Sequence, residues 1–133
     1  MENLFSLIPF IIIPIVLASF AYFYFGGKNK LPIESGVVPV FQEQAGGRFN
    51  GFNLTIPFVR HAVYEGFIVI AYGKTRFKLA FEEIDKVELK RHLFSKGITY
   101  HHRSNEVPSS CIVWSTDSDR VIAFLKNNGL NVV

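Results

Sequence analysis

The chain has 133 residues, with 14 Lys and Arg against 11 Asp and Glu, which gives a formal net charge of +3. This length is enough for one small domain. The mild charge does not favour nucleic-acid binding, whose signature would be a concentrated basic face. The single cysteine, Cys111, excludes an internal disulfide and suits a reducing compartment.

The amino terminus is dominated by one apolar stretch, residues 4–25, which contains no charged side chain. As a helix it would be about 33 Å long, close to the roughly 30 Å hydrocarbon core of a bilayer. A soluble core helix would show a polar stripe, and a signal peptide would begin with a basic segment. The pattern favours a permanent transmembrane anchor over residues 1–27, and cleavage is the minority reading.

The end of this stretch has the features of a membrane interface. Tyr22 and Tyr24 are typical of an aromatic belt, and Lys28 and Lys30 follow directly. The positive-inside rule then places the amino terminus outside and the large domain in the cytoplasm. We therefore expect a single-pass protein of the inner (cell) membrane of a bacterium, in contact with lipid through residues 4–25.

The next segment, residues 28–47, has two prolines and three glycines and no sustained period. It is interpreted as a linker, with room for a short strand around residues 37–41. A tether of this length keeps the following domain within a few nanometres of the bilayer. The folded domain is assigned to residues 48–133.

From residue 52 onward the hydrophobic residues alternate with polar ones, which is the period of a β-strand. Glu65-Gly66 and Gly73-Lys74 predict tight hairpin turns. Pro57 indicates an edge position or a bend. The pattern predicts six strands, in the segments NLTIPFVRHAVY, FIVIAY, TRFKLA, DKVELKRHLF, ITYHHR and SCIVWS.

The period changes near the carboxyl end. Residues 115–119 offer N-cap candidates and acidic side chains that suit a helix start. The segment RVIAFLKNNG has one broad apolar face, and Gly129 is a natural residue to follow the helix end. This pattern predicts an amphipathic helix that covers the sheet.

Consecutive antiparallel strands closed by one amphipathic helix resemble the pleckstrin-homology-like (PH-like) barrel. The segment YEGFIVIAYGKTRFKLAFEEIDKVEL is similar to the core of membrane-anchored bacterial PH-like domains, and GITYHH, a loop with Pro108, CIVWS and the final helix continue the order. The resemblance covers residues 51–130. It implies an α+β fold, with a transmembrane helix before a PH-like antiparallel β-barrel or sandwich capped by a helix. The family has seven strands, and the seventh is expected in residues 37–41 or in a split of residues 54–64.

The resemblance also implies a binding or scaffolding module for phospholipid headgroups or peptides. Phosphoinositide-binding members carry spaced Lys and Arg residues between their first two strands. The corresponding turn is taken to be Tyr64-Glu65-Gly66, which is short and acidic. This departure argues against a phosphoinositide site of the usual kind.

Four basic residues form the candidate anion site. Lys90, Arg91 and Lys96, with His92 between them, surround one strand end, and Lys74 lies in a separate hairpin turn. These cations could rest on anionic headgroups at the membrane surface. The alternative is an ordinary solvated rim.

Other surfaces are weaker candidates. Arg76 and Lys78 alternate with apolar residues, so they are interpreted as solvent-side residues of a strand. Aromatic side chains could form an exposed patch or belong to the core: Phe52, Phe58, Phe94 and Trp114. An open sheet edge could accept a partner peptide as an added strand, and Pro57 could guard such an edge.

Metal binding and catalysis find no support in the sequence. His101 and His102 are adjacent in a strand and point to opposite faces, while His61 comes from a distant segment. Metal-ligand spacings, a nucleophile elbow and a glycine-rich phosphate loop are all absent. We therefore expect a non-enzymatic protein without cofactor or metal, and Cys111 as a packed, inert thiol.

The sequence thus predicts a membrane-anchored PH-like interaction or scaffolding module. It would recruit or regulate a protein partner, or serve as a subunit of a membrane complex. The alternative is peripheral sensing of anionic phospholipid headgroups by the basic rim.

Overall fold

The computed structural model describes residues 2–26, 30–91 and 96–133, with the backbone alone for residues 2–5 and 22–26. The described residues form two α-helices, two short 3-10 turns and seven strands. Their bounds are α1 Glu2–Gly26, a first turn Pro32–Glu34, β1 Phe41–Phe49, β2 Phe52–Val63, β3 Phe67–Tyr72, β4 Thr75–Ala80, a second turn Phe81–Glu83, β5 Ile84–Arg91, β6 Lys96–His102, β7 Cys111–Trp114 and α2 Ser118–Asn127.

Helix α1 runs without interruption through Pro9 and Pro14. Each proline removes one backbone donor, and in this helix the remaining turns continue past both positions. Within the described ranges, no helix is both long enough and apolar enough to cross a membrane. The transmembrane span therefore stays a prediction.

The seven strands form one curled antiparallel sheet in the order β4-β3-β2-β1-β7-β6-β5. Strands β1 to β4 pair in chain order, as do β5 to β7, whereas the successive strands β4 and β5 lie at opposite edges. The pairing of β1 with β7 joins the two halves. Helix α2 follows the last strand and packs against the curled sheet. The predicted antiparallel sheet with a carboxy-terminal helix is confirmed, and this arrangement is compatible with a PH-like sandwich.

Strand β1 corrects the predicted linker of residues 28–47, because it begins at Phe41 and pairs with strands on both sides. It is the seventh strand, and it lies mostly after the expected range 37–41. The sequence of β1 is mostly polar and lacks the alternation of hydrophobic and polar residues from which a strand is predicted. Gly46 and Gly47 allow close packing here: a Cβ atom on Gly46 would lie 2.8 Å from the Leu54 carbonyl oxygen.

The sheet order corrects one prediction about a turn and gives the position of Pro57. The turn between the first two strands is Asn50-Gly51, whereas Tyr64-Glu65-Gly66 joins β2 to β3. Pro57 lies in β2, before the residues of this strand that pair with β3, which are Arg60 to Val63. It also lies where the register between β1 and β2 shifts, and the hydrogen-bonded ladder is interrupted there. The missing N–H of the proline therefore removes no hydrogen bond from the ladder.

Helix α2 ends as its sequence predicts. Gly129 has φ +85°, its N–H donates to Lys126, and the Leu130 N–H donates to the Leu125 carbonyl. This pair of bonds is the Schellman motif, which satisfies the last carbonyls of a helix. The start differs from the prediction: Asp117 occupies the N-cap position but its side chain caps no amide.

Candidate functional site

The described side chains of helix α1 are exposed on every side. From Ser6 to Phe20 each residue is exposed, and Phe10 keeps 74% of its surface accessible. Consecutive residues of a helix point about 100° apart, so Ile11, Ile12 and Ile13 face three different directions. The helix therefore presents an apolar surface around its circumference.

Near its carboxyl end, helix α1 contacts the sheet. The ring of Phe20 meets the ring of Phe58 in β2 edge to face, with centroids 5.2 Å apart. A groove of about 400 Å³ lies between the two elements. The helix lines it with Ile15, Val16, Ser19 and Phe20, and β2 with Asn53, Leu54, Thr55 and Phe58.

The segment after helix α1 is fixed to the sheet by a buried ion pair. Glu34, in the first 3-10 turn, accepts hydrogen bonds from Arg60 at 2.7 and 2.9 Å and from the Tyr64 hydroxyl at 2.7 Å. Glu34, Arg60 and Tyr64 are all buried. Such bidentate geometry fixes orientation as well as distance. We name these three residues the clamp.

The clamp keeps Glu34 ionised. Burial opposes its ionisation, but the hydrogen bonds from Arg60, Tyr64 and the Leu31 amide outweigh burial and hold the Glu34 pKa below its ordinary value. Burial and the neighbouring carboxylate raise the pKa of Tyr64 to about 12, so its hydroxyl stays a donor. The charge pattern of the clamp is therefore stable at neutral pH.

Three loops gather at one end of the sheet, which we name the open end. A groove of about 550 Å³ there is lined by the β1–β2 turn, the start of β4 and the β6–β7 loop. Asn50, with φ 50°, links two of these loops, because its side-chain oxygen accepts hydrogen bonds from the Ser109 hydroxyl and the Ser110 amide. Lys74 lies in the β3–β4 turn at the same end.

The structure divides the predicted anion site between two places. Arg91 and Lys96 are register partners at the turn end of β5 and β6, next to Lys90. Lys74 lies in the turn between β3 and β4, in the other half of the sheet. Three of the four predicted residues therefore come together, and Lys74 does not join them. His92 lies outside the described residues, and anion binding by this group stays a prediction.

Two of the three grouped cations are already paired with carboxylates. Lys90 contacts Glu88 at 3.1 Å, and this hydrogen bond lowers the pKa of Glu88. Lys96 contacts Asp119, at the start of α2, at 3.3 Å. Pairing weakens the field that these lysines can offer to an external anion.

The predicted interface residues are described only in part. Lys30 is exposed, whereas Lys28 and the side chains of Tyr22 and Tyr24 lie outside the described residues. Of the aromatic candidates, Phe52 is exposed at 52%, Phe58 packs on Phe20, Trp114 is half-buried and Phe94 lies outside the described residues.

A second buried network surrounds His61. Its ring nitrogens lie 2.8 Å from a Glu43 carboxylate oxygen and 2.7 Å from the Tyr100 hydroxyl. Glu43 also accepts hydrogen bonds from Ser115 and from the amide and hydroxyl of Thr116. Burial raises the Glu43 pKa, but these hydrogen bonds outweigh burial and hold it below the ordinary value. The network joins β1, β2 and β6 to the segment before α2.

The other candidate groups have structural surroundings. His102 contacts the Pro108 carbonyl at 2.8 Å, and His101 lies on the opposite side of β6 near Glu88. The part of the chain that the structure describes contains no cluster of three or more potential metal ligands. Cys111 is buried, and burial raises its pKa to about 12, so the thiol is protonated at neutral pH.

The clamp and the His61 network are absent from the sequence predictions. Each joins residues that are distant in the chain: Glu34 meets Arg60, and Glu43 meets His61. The available signal was the pair Arg60-His61 within the apolar run FVRHAVY, since charged residues are rarely buried without a partner.

No protein-family model and no curated protein matches this sequence. The PH-like relation therefore stays a prediction. Seven antiparallel strands followed by one helix are compatible with a PH-like sandwich.

Proposed function

We propose that this chain is a membrane-associated, non-catalytic interaction module, in which helix α1 is embedded in lipid and a PH-like domain presents binding surfaces next to it. The observation that carries the proposal is the apolar surface of α1, exposed on all sides. The predicted sidedness, with the domain on the cytoplasmic side, is part of the proposal. The domain would recruit or regulate a protein partner there.

Lipid is the cover that fits the shape of this surface. Burying one large aliphatic or aromatic side chain contributes about 1.5–3 kcal/mol. A single protein partner covers one stripe of a helix, whereas acyl chains surround it. The exposed large apolar residues of the helix are Leu7, Ile8, Phe10, Ile11, Ile12, Ile13, Ile15, Val16, Leu17 and Phe20.

The clamp connects helix α1 closely to the folded domain. Glu34 lies only eight residues after the end of α1 at Gly26 and is fixed to the interior strand β2 through Arg60. A domain tied to a lipid-embedded helix by so short a segment cannot diffuse away from the membrane surface. Its partner sites are thereby held at a high local concentration for other membrane proteins.

Flotation tests the proposal. After detergent is removed in the presence of phosphatidylcholine vesicles, the full-length chain should float with the vesicles and resist alkaline extraction. The double variant Ile12→Asp/Ile15→Asp should lose most of this association, because each charge in the hydrocarbon layer costs roughly 3 kcal/mol. The matched control is Val37→Asp/Val38→Asp, which adds the same charges at exposed apolar residues outside the helix.

The outcome can contradict the proposal in two ways. Recovery of the intact chain in the aqueous fraction would show that α1 is covered by something other than lipid. Equal flotation of the helix variant and the wild-type chain would show that the association does not depend on the apolar surface.

A second candidate function is contact with anionic headgroups. The groove between α1 and β2 is lined by Ile15 and Val16 of the helix and by Asn53 at the start of β2, and the chain after α1 reaches Glu34, which contacts Tyr64 just past the other end of β2. From this we infer that the earlier part of α1 extends past the open end, which would then face the membrane. The exposed cations at this end are Arg48, Lys74 and Arg76.

An environment-sensitive dye at Asn105→Cys, in the β6–β7 loop, tests this second function. In nanodiscs that contain phosphatidylserine, the dye emission should shift to shorter wavelength and return in high salt, because salt screens headgroup contacts. The double variant Lys74→Glu/Arg76→Glu should remove the shift. The control Lys90→Glu/Arg91→Glu should keep it, and the opposite ranking would reject the open end as the headgroup-facing surface.

A further inference from the structure

The sheet ends in two edge strands, β4 and β5. The edge of β5 is covered by the chain itself: the Val87 N–H donates to the Asn131 carbonyl, and the Val133 N–H donates to the Val87 carbonyl, both at 2.8 Å. Val132 lies beside Val87 as a parallel bridge. Natural proteins protect edges in this way because unpaired backbone groups attract other strands.

Over its central residues, the edge of β4 is not paired with any segment that the structure describes. Phe81 donates its N–H to the Gly66 carbonyl, which fixes the phase of the β3–β4 ladder. Because hydrogen-bonded pairs alternate with non-hydrogen-bonded pairs, Thr75, Phe77 and Leu79 bond to β3. The backbone N–H and C=O groups that point away from β3, toward the open edge, then belong to Arg76, Lys78 and Ala80.

One end of this edge is closed by a side chain. The Ala80 N–H donates to Glu83 at 3.2 Å, which occupies the last outward donor of β4. Among the described residues, no hydrogen bond is formed by the outward backbone groups of Arg76 and Lys78. Two residues of an edge strand, with one donor and one acceptor each, are therefore available for pairing.

The side chains of the same two residues are cationic and exposed. With Lys74 in the preceding turn, they form the basic stripe Lys74, Arg76 and Lys78. None of the three forms an ion pair with a residue that the structure describes, in contrast to Lys90 and Lys96. The stripe is therefore the place in this part of the chain where free positive charge and free backbone groups coincide.

Two grooves flank the middle of β4. The open-end groove and a second groove of about 390 Å³, beside Leu31, Pro32 and Ile33, share three lining residues: Arg76, Phe77 and Glu106. They give an extended segment room along the strand. Glu106 is the one acidic side chain lining either groove, against the cations of the stripe.

We propose that β4 binds an acidic extended peptide segment, which adds a strand to the sheet along Thr75–Leu79. Residues of an added strand that lie opposite Arg76 and Lys78 share their face of the sheet, so these two positions are acidic. The residue between them points to the opposite face, beside Phe77 and Val107, and is apolar. The ligand therefore has the alternating pattern acidic-apolar-acidic.

This inference rests on the proposed function, because it names the class of partner that the membrane-held domain recruits. Main-chain hydrogen bonds supply affinity in such complexes, and the alternate side chains supply selectivity. Two Glu or Asp residues opposite two unpaired cations provide the charge complementarity. A basic segment, or an acidic segment without the alternating pattern, would lack this charge complementarity.

The test uses the full-length chain in phosphatidylcholine nanodiscs and the labelled peptide Glu-Val-Glu-Val-Glu. Binding should slow hydrogen exchange at the amides of Arg76 and Lys78, while those of Phe77 and Leu79 are already protected by β3. The variant Lys78→Glu should weaken peptide binding at least tenfold. The matched control Lys90→Glu, an exposed lysine of β5, should change it less than twofold.

Two control peptides separate pattern from charge. Glu-Glu-Glu-Val-Val has the same composition without alternation, and Lys-Val-Lys-Val-Lys has the alternation with the opposite charge; both should bind at least tenfold more weakly. Equal binding of either control, or unchanged binding by Lys78→Glu, would overturn the proposal. So would slowed exchange of the two amides by phosphatidylserine nanodiscs without peptide, since the stripe would then be a headgroup site.

Failure of this inference and failure of the proposed function are distinguishable. A chain that floats with vesicles but ignores the alternating peptide rejects the β4 site and leaves the membrane proposal intact. A chain that binds the peptide but does not float with vesicles supports the β4 site and rejects the membrane proposal.

Discussion

Arg60 is a buried cation that forms an ion pair with the buried carboxylate of Glu34. Removing one member of a buried ion pair leaves the other uncompensated, which typically costs about 3–5 kcal/mol. We expect Arg60→Ala to lower the free energy of unfolding by this amount, measured by chemical denaturation of the full-length chain in detergent. The control Arg103→Ala removes an exposed pair with Asp85 and should cost about 1 kcal/mol or less. Equal losses would show that the clamp contributes no more than a surface pair.

Glu43 makes the fold sensitive to acid. Its hydrogen bonds hold its pKa in the folded state below the unfolded value of about 4.3, so its contribution is present above that pH and lost as pH falls through the folded pKa. The free energy of unfolding should therefore fall as the pH is lowered below about 5, and Glu43→Gln should flatten this fall. At pH 7 the same variant should be about 2–3 kcal/mol less stable, because it weakens charge-assisted hydrogen bonds.

The control for this pH experiment is Glu65→Gln, a substitution at an exposed turn residue. It should keep the acid dependence of the wild-type chain. Parallel pH curves for Glu43→Gln and the wild-type chain would contradict the assignment and leave Glu34, whose pKa is also lowered, as the main acid-sensitive group.

Strand β1 depends on the absence of a side chain at Gly46. An added Cβ would lie 2.8 Å from the Leu54 carbonyl oxygen and 3.2 Å from the Ile56 nitrogen, both rigid backbone atoms. Gly46→Ala should therefore separate β1 from β2 and cost roughly 1–3 kcal/mol. Gln42→Ala, an exposed change in the same strand, should cost less than about 0.5 kcal/mol. A thermal unfolding series of the three proteins measures the difference, and a neutral Gly46→Ala would show that the register shift can absorb the methyl group.

The elements predicted from sequence are those whose burial follows a local period. In β4, Phe77 and Leu79 face the core while Arg76 and Lys78 face out, so alternation alone identified the strand. The same holds for α2, whose end is marked by Gly129. Local patterns of this kind need no knowledge of the rest of the chain.

Strand β1 and the candidate surfaces could not be predicted in this way. The sequence of β1 is polar because Glu43 is satisfied by His61 and by Thr116, which are distant in sequence. The open edge of β4 was even less accessible, since Arg76 and Lys78 become a binding surface only when the opposite edge is known to be covered. The topology of the sheet decides which distant residues come into contact, and the hydrophobic periodicity of a sequence gives no information about that topology.

For the whole molecule, the direction of α1 beside β2 predicts which end of the domain approaches lipid. The β3–β4 turn at Lys74 and the β2–β3 turn at Glu65 lie at opposite ends of the six-residue strand β3, roughly 20 Å apart. Fluorophores on Lys74→Cys and Glu65→Cys can compare these ends, because Cys111 is buried and, with a pKa of about 12, stays unlabelled at neutral pH.

With headgroup-nitroxide lipids in the nanodisc, quenching should be at least twofold stronger at residue 74 than at residue 65, because contact quenching falls steeply over about 20 Å. The variant Phe20→Ala removes the ring that α1 places on Phe58 and should reduce the difference by loosening the domain from the helix. Phe10→Ala, at a ring that is 74% exposed, should leave it unchanged. Stronger quenching at residue 65 would place the β2–β3 turn at the bilayer, and the stripe on β4 would then point into the aqueous phase, where a soluble acidic partner could reach it without competition from lipid.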